Sequence, residues 1–269
     1  MIRGGLIILV LMSLSLLPMV EPVSIKIHYH KGVWIESGLL YKYSMTDIKN
    51  MIRYFCFDSV VIMPFPYSGE VDTLIKELLK YRVSPSAKLT VFLVVGSLDY
   101  VDWSLVDRYK DYNIVMTIDD AVPSSLDNVK KLKSMGLKVA IVHGYNEEIK
   151  DVLKVADYSM VCIYPLYDDI AVTKDDPVKL EEYRKKIAIM KTWVPEDKYY
   201  LVWIQAFGRG ANNWRFPTRH ELEYMLHSVA PMCDGVLFFE PFTGLSERGE
   251  YFDGFLTHPE VYDLIRRGW

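Results

Sequence analysis

The residues of this 269-residue chain best suited to chemistry are acids and aromatic rings that close short apolar runs. Asp119 and Asp120 end one such run, Glu240 ends another, and Asp168 and Asp169 follow a third. Two carboxyl groups held at unlike pKa values, one protonated and one ionised, are what general acid/base cleavage requires, and glycosidic cleavage needs them flanking the scissile oxygen. Asp120 as proton donor and Glu240 as ionised partner form the expected pair, with Asp119 and Gln205 orienting. Trp203, Tyr67 and Tyr164 offer ring faces for a substrate, and His28, Asp168 and Arg209 offer hydrogen bonds; Trp34, Tyr167 and Trp214 are further aromatic candidates. His28 and His30 at alternate positions, with Asp119, are the nearest approach to metal-ligand spacing, and nothing else in the chain has it. No metal and no cofactor is therefore expected. Cys56, Cys162 and Cys233 are too far apart for a disulfide framework or a metal knuckle, and their apolar contexts read as buried thiols.

The elements that must position these groups are legible from periodicity. Strand-like runs span Val23–His30, Ser59–Phe65, Leu89–Val95, Asn113–Asp119, Lys138–His143, Ser159–Tyr164, Tyr200–Ala206 and Gly235–Glu240. Between them, apolar residues recur with helical spacing, as in Ile48, Met51, Ile52 and Phe55, in Val71, Leu74, Ile75 and Leu78, and in Leu222, Met225, Leu226 and Val229. Thr218 and Glu221 form a capping box at the start of the last of these. Strict alternation of strand and helix implies parallel strands with right-handed crossovers, and eight units predict a single (β/α)8 TIM barrel over residues 23–269. In such a barrel the chemistry sits at the carboxyl ends of the strands, where the acids and rings named above fall. Alternation predicts Lys26, His28 and His30 inside on the first strand, Val115, Thr117 and Asp119 on the fourth, and one shared parity for Val236, Phe238 and Glu240 on the eighth. A net charge of −4 leaves no electrostatic footprint for nucleic acid.

Residues 1–22 read as an address rather than as part of the fold. Arg3 precedes an uncharged apolar stretch over residues 4–20, the pattern of a signal peptide or of an uncleaved membrane anchor. Either predicts a secreted or extracytoplasmic protein, with membrane attachment through residues 4–20 in the second case. Nothing in the sequence specifies an oligomeric state.

The stretch Tyr199–Glu240 resembles the last two units of glycoside hydrolase-like (β/α)8 barrels, through Trp203–Phe207, the helix start Arg215–Leu222, and Cys233-Asp234-Gly235-Val236. Ala156-Asp157 through Tyr164-Pro165 is similar to their sixth strand, and Met116–Ala121 to their fourth. The resemblance covers about half of the chain beyond the leader and implies a sugar site related to the retaining barrel glycosidases. There an acid/base glutamate follows the fourth strand and a nucleophile ends the seventh. This sequence departs at both places, with Asp120 at the first and Gln205 at the second. An amide cannot serve as a carboxylate nucleophile, and aspartate retracts the carboxyl by about 1.5 Å, one carbon–carbon bond. The expected function is hydrolysis of an O-glycosidic bond in an oligo- or polysaccharide; the alternative is a catalytically inactive glycan-binding barrel at the cell surface.

Overall fold

The computed structural model describes residues 29–36, 43–65, 67–166, 176–209, 214–245 and 251–267. Eight parallel strands close on themselves: β1 (His30–Glu36), β2 (Ser59–Met63), β3 (Thr90–Ser97), β4 (Val115–Asp119), β5 (Lys138–His143), β6 (Tyr158–Val161), β7 (Tyr199–Gln205) and β8 (Gly235–Phe239). Each pairs with the next, and β8 pairs with β1 from His30↔Gly235 to Val33↔Phe238, so the sheet has no seam among these strands. The barrel fold expected from the sequence is the one observed.

Eight α-helices among the described residues surround it: α1 (Met45–Phe55), α2 (Gly69–Lys80), α3 (Trp103–Tyr109), α4 (Leu126–Ser134), α5 (Lys150–Val155), α6 (Pro177–Lys191), α7 (Arg219–Val229) and α8 (Tyr262–Arg267). Helix α1 opens with a capping box between Ser44 and Asp47 and buries Ile48, Met51, Ile52 and Phe55, the set its periodicity predicts. The Thr218–Glu221 box opens α7 as expected. Among the described residues no helix is long and apolar enough to cross a membrane. The leader, Lys26 and His28 lie outside the described residues.

Two apolar layers result. One lies between strands and helices and includes Val33, Val60, Met116, Ile141, Val236 and Phe238. The other fills the barrel and includes Trp34, Val61, Val94, Val142, Met160, Trp203 and Leu237. On β4 the expected parity holds, with Met116 and Ile118 against the helices and Val115 in the barrel.

Two expectations are corrected. The first strand begins at His30, where it was expected to end, and runs on through Trp34 to Glu36. A side chain at Gly32 would lie 2.5 Å from Ser59 Oγ, so glycine is what lets β1 and β2 approach there. His30 consequently lies on the barrel floor, ringed by Phe92, Tyr158 and Tyr199 at 5.5 to 6.1 Å between centroids. On β8 the parity is reversed: Leu237 and Phe239 belong to the interior, while Val236 and Phe238 face the helices. Gly-Val-Leu-Phe-Phe is apolar on both faces, so its alternation carried no information.

Beyond the carboxyl ends of β7 and β8 the chain builds a small antiparallel sheet. Tyr251–Gly254 pairs with Phe207–Arg209 on one side and with Gly244–Leu245 on the other. Gly254 lies so close to the Phe242 backbone that no side chain fits, and Phe255 N donates to Glu240 O at 3.1 Å.

Candidate active site at the barrel mouth

Strand order sets the spacing of the acids. In a ring of eight, β4 and β8 stand opposite each other and β6 lies midway between them. Asp119 ends β4, Glu240 follows β8, and Tyr164 lies three residues beyond β6. Burial first, then Cys162, Asp119 and Glu240, raises the Tyr164 phenol well above its ordinary range, so both acids bear on one hydroxyl. Cys162 donates to or accepts from the same hydroxyl; burial pushes its thiol up to about 12, with Asp119 and Asp120 adding to the effect.

Glu240 is wholly buried. Its Oε1 accepts the Phe242 N–H at 3.2 Å, and its Oε2 has no hydrogen-bond partner among the described residues. Burial raises its pKa well above the usual carboxylate range, Glu36 at the end of β1 raises it further, and the Phe242 N–H opposes them only in part. These surroundings favour the protonated form of Glu240, whereas the expected role was the ionised one. Asp120 is exposed, in a turn with φ of 45°, whereas Asp119 is only half-exposed and faces the barrel axis on the inward parity of β4. Glu36 was not anticipated. It closes the apolar run Gly-Val-Trp-Ile just before Ser37-Gly38, a signal that becomes readable once β1 has its register.

The rings sort into two groups. Tyr164, Trp214 and Phe239 are partly exposed; Tyr164 lies 5.5 Å from Trp214 and 5.9 Å from Phe239, with the buried Phe207 packed against all three. Trp203 and Trp34, expected as stacking faces, are instead 1% and 4% exposed inside the barrel, and Trp34 belongs to β1 rather than to a loop. Tyr67 is corrected too: its hydroxyl donates to Asp72 at 2.8 Å and meets Tyr109 at 3.1 Å, so it packs against the outer layer rather than at the mouth.

Gln205 is fully buried and bonded to backbone alone. Its Oε1 accepts the Leu166 N–H at 3.1 Å, while its Nε2 donates to Arg215 O at 3.0 Å and Phe207 O at 3.4 Å. It joins the loops after β6 and β7, so what it orients is the wall of the mouth. Arg215 in turn grips Glu221 through two guanidinium nitrogens at 2.5 and 2.6 Å, and Glu221 also accepts the Thr218 and Asp176 N–H groups. His143 sits on the outward face of β5, with Nε2 2.8 Å from Ser159 Oγ. Tyr167, Asp168 and Asp169 lie outside the described residues, as does the side chain of Arg209. Among the described residues no cluster of three His, Cys, Asp or Glu could hold a metal ion.

The fold is similar to that of several solved carbohydrate-active proteins. The β-1,3-glucanosyltransferase of glycoside hydrolase family 17 from Rhizomucor miehei matches with a TM-score of 0.54 at 14% identity, over 84% of this chain and 92% of its own. The fold these structures share with this chain is the (β/α)8 TIM barrel. The GH99 endo-α-mannosidase from Bacteroides thetaiotaomicron matches at 0.51 and 11% identity, over 88% of this chain and 95% of its own. Gas2p of Saccharomyces cerevisiae, solved with laminaritetraose and laminaripentaose, matches at 0.52 and 10% identity over 90% of this chain. This chain spans 63% of the Gas2p chain. No protein-family model matches the sequence, and no curated protein matches it.

Proposed function

We propose that the barrel mouth binds a neutral oligosaccharide and hydrolyses an O-glycosidic bond in it, with Glu240 as proton donor and Asp119 as the ionised partner across the mouth. The observation that carries this reading is the buried Glu240 carboxyl, whose pKa burial and then Glu36 push upward, and whose Oε2 has no hydrogen-bond partner among the described residues. A carboxylic acid kept neutral at neutral pH is what protonation of a leaving oxygen needs. The partly exposed rings of Tyr164, Trp214 and Phe239 supply apolar surface beside it.

Laminari-oligosaccharides are the first substrates to test, because solved barrels of this shape carry them. Glu240→Gln is expected to lower kcat/KM by about 10²–10⁴-fold, the usual weight of a general acid. Cleavage at the wild-type rate by that variant would remove Glu240 from the mechanism.

A second reading is favoured by Gln205. The seventh strand ends in an amide fully engaged by backbone, and a mouth without a carboxylate there suits a barrel that holds glycan without cutting it. Saturable binding with no product from the wild-type protein would decide for that reading. The proposal includes export, resting on the basic and apolar leader of residues 1–22. Recovery of the full chain from the cytosol alone on cell fractionation would count against it.

A further inference from the structure

In the stretch Asp253-Gly-Phe-Leu-Thr-His258-Pro-Glu260 a histidine has an acid on either side of it in sequence, and the fold brings both to its ring. His258 Nε2 stands 2.9 Å from Asp253 Oδ2, and Nδ1 stands 2.9 Å from Glu260 Oε1. The ring also stacks on Phe216, with 3.6 Å between centroids and 13° between planes. These contacts join three segments. Asp253 belongs to the strand Tyr251–Gly254 of the small sheet, and Glu260 to the turn Pro259–Val261 that leads into α8. Phe216 follows Arg215 in the wall of the mouth.

The two short contacts ask for one form of the ring. A neutral imidazole has one N–H and one lone pair, whereas an imidazolium has two N–H groups. With an ionised carboxylate at each nitrogen, only the imidazolium donates to both; the neutral ring sets a lone pair against one of them. Glu260 favours the ionised form, because its own backbone N–H and then His258 hold its carboxyl below the usual range. Asp253 uses its other oxygen to accept from Thr257 Oγ1 at 3.1 Å. The charges on the neighbouring helices are engaged with one another. Arg219 on α7 donates to Glu260 O and pairs with Asp263 on α8, which Arg267 also holds. In the mouth wall Arg215 pairs with Glu221. The strand that carries Asp253 also carries Phe252, which lies 5.6 Å from Phe239 and 5.9 Å from Phe207, both rings of the mouth.

We propose that His258 is a proton-dependent clasp: charged, it ties the small sheet to the turn before α8 and to the mouth wall; neutral, it releases one acid and loosens the strand behind the mouth rings. Closing the clasp requires the ring to hold its second proton. The clasp is therefore firm on the acid side of the histidine range and slackens as pH rises through it. The inference stands whether or not the mouth takes a sugar.

The test is amide hydrogen exchange of the full chain at pH values of about 5.5 and 8.5, on either side of the histidine range, with each rate divided by that of an unfolded chain at the same pH. In the wild type, protection of the Tyr251–Gly254 amides should fall about tenfold from the lower pH to the higher, while that of β3 stays level. His258→Phe keeps a ring to stack on Phe216 but has no N–H, and its protection should agree at the two pH values within about twofold. Asp253→Asn keeps the histidine, removes one ionised partner, and should shrink the fall to less than half of its wild-type size on a logarithmic scale. Equal protection of the small sheet at both pH values in the wild type would overturn the inference. So would an undiminished fall in His258→Phe, or a matching fall in β3, which would mean that the whole fold weakens. Should either variant fail to fold, the wild-type comparison of the small sheet with β3 still decides.

Discussion

At the floor of the barrel Lys31 Nζ donates to Phe55 O at 2.7 Å and to Arg266 O at 2.5 Å, so one buried ammonium ties the last turns of α1 and α8 together. Asp58 accepts from Lys31 N and Ser59 Oγ, Asp157 from Lys133 Nζ and Val139 N, and Asp234 from Tyr200 N. At the mouth, by contrast, the buried Glu240 Oε2 has no hydrogen-bond partner among the described residues, and Glu36 adds to the rise in the Glu240 pKa. The difference teaches which polar groups hold the fold together. Those named at the amino-terminal ends close loops and helix ends, as Gln205 does at the wall of the mouth, whereas Glu240 Oε2 at the carboxyl-terminal ends closes nothing among the described residues.

The largest expected effect tests whether the wall of the mouth is as firmly built as the floor. Glu221→Ala leaves the Arg215 guanidinium without its buried partner and should cost about 3–5 kcal/mol in urea unfolding. It should also loosen the loop carrying Trp214, lowering affinity for oligosaccharide. A loss below about 1 kcal/mol would show that the mouth wall does not depend on this pair.

A smaller effect is expected at the floor. Burial pushes the Lys31 amine down to about 8, and Lys31→Met removes the donor shared by two helix ends. Chemical denaturation should register a loss of about 1–3 kcal/mol, with kcat/KM unchanged. A change in catalysis at equal stability would break the division between the two ends.

The smallest effect has the opposite sign. The folded-state pKa of Glu240 lies above its ordinary 4.5, so its neutral form stabilises the fold at low pH, and that stability is lost as pH rises above 4.5 toward the folded-state pKa. Glu240→Gln, which abolishes the titration, should therefore gain on the wild type in melting temperature as pH is raised from 5 to 8. A difference that stays constant with pH would mean that Glu240 is ionised in the folded protein.

How much of this was legible in sequence depended on whether a segment has one buried face or two. Helix α1 shows its core at Ile48, Met51, Ile52 and Phe55 because its other face meets water, and β5 has the bounds its run implied. Strands buried on both sides carry no such contrast. For that reason the parity of β8 was misread, and the start of β1 was misplaced among the apolar residues on both sides of His30. The cost fell on the site, since Glu36 becomes visible only with β1 in register. The upward pKa shift of Glu240 was out of reach for a different reason: it arises from burial by segments far apart in the chain, and residue type alone points to an ordinary carboxylate.

The small sheet beyond β7 and β8 has a consequence for altering the barrel by design. Because Tyr251–Gly254 pairs with the segment after β7, and Phe255 is bonded to the backbone of Glu240, the small sheet and the acid are tied into one structural unit. New substrate preferences would then be acquired most readily through the turns that follow β2 to β5, where lengthening the chain leaves that unit undisturbed.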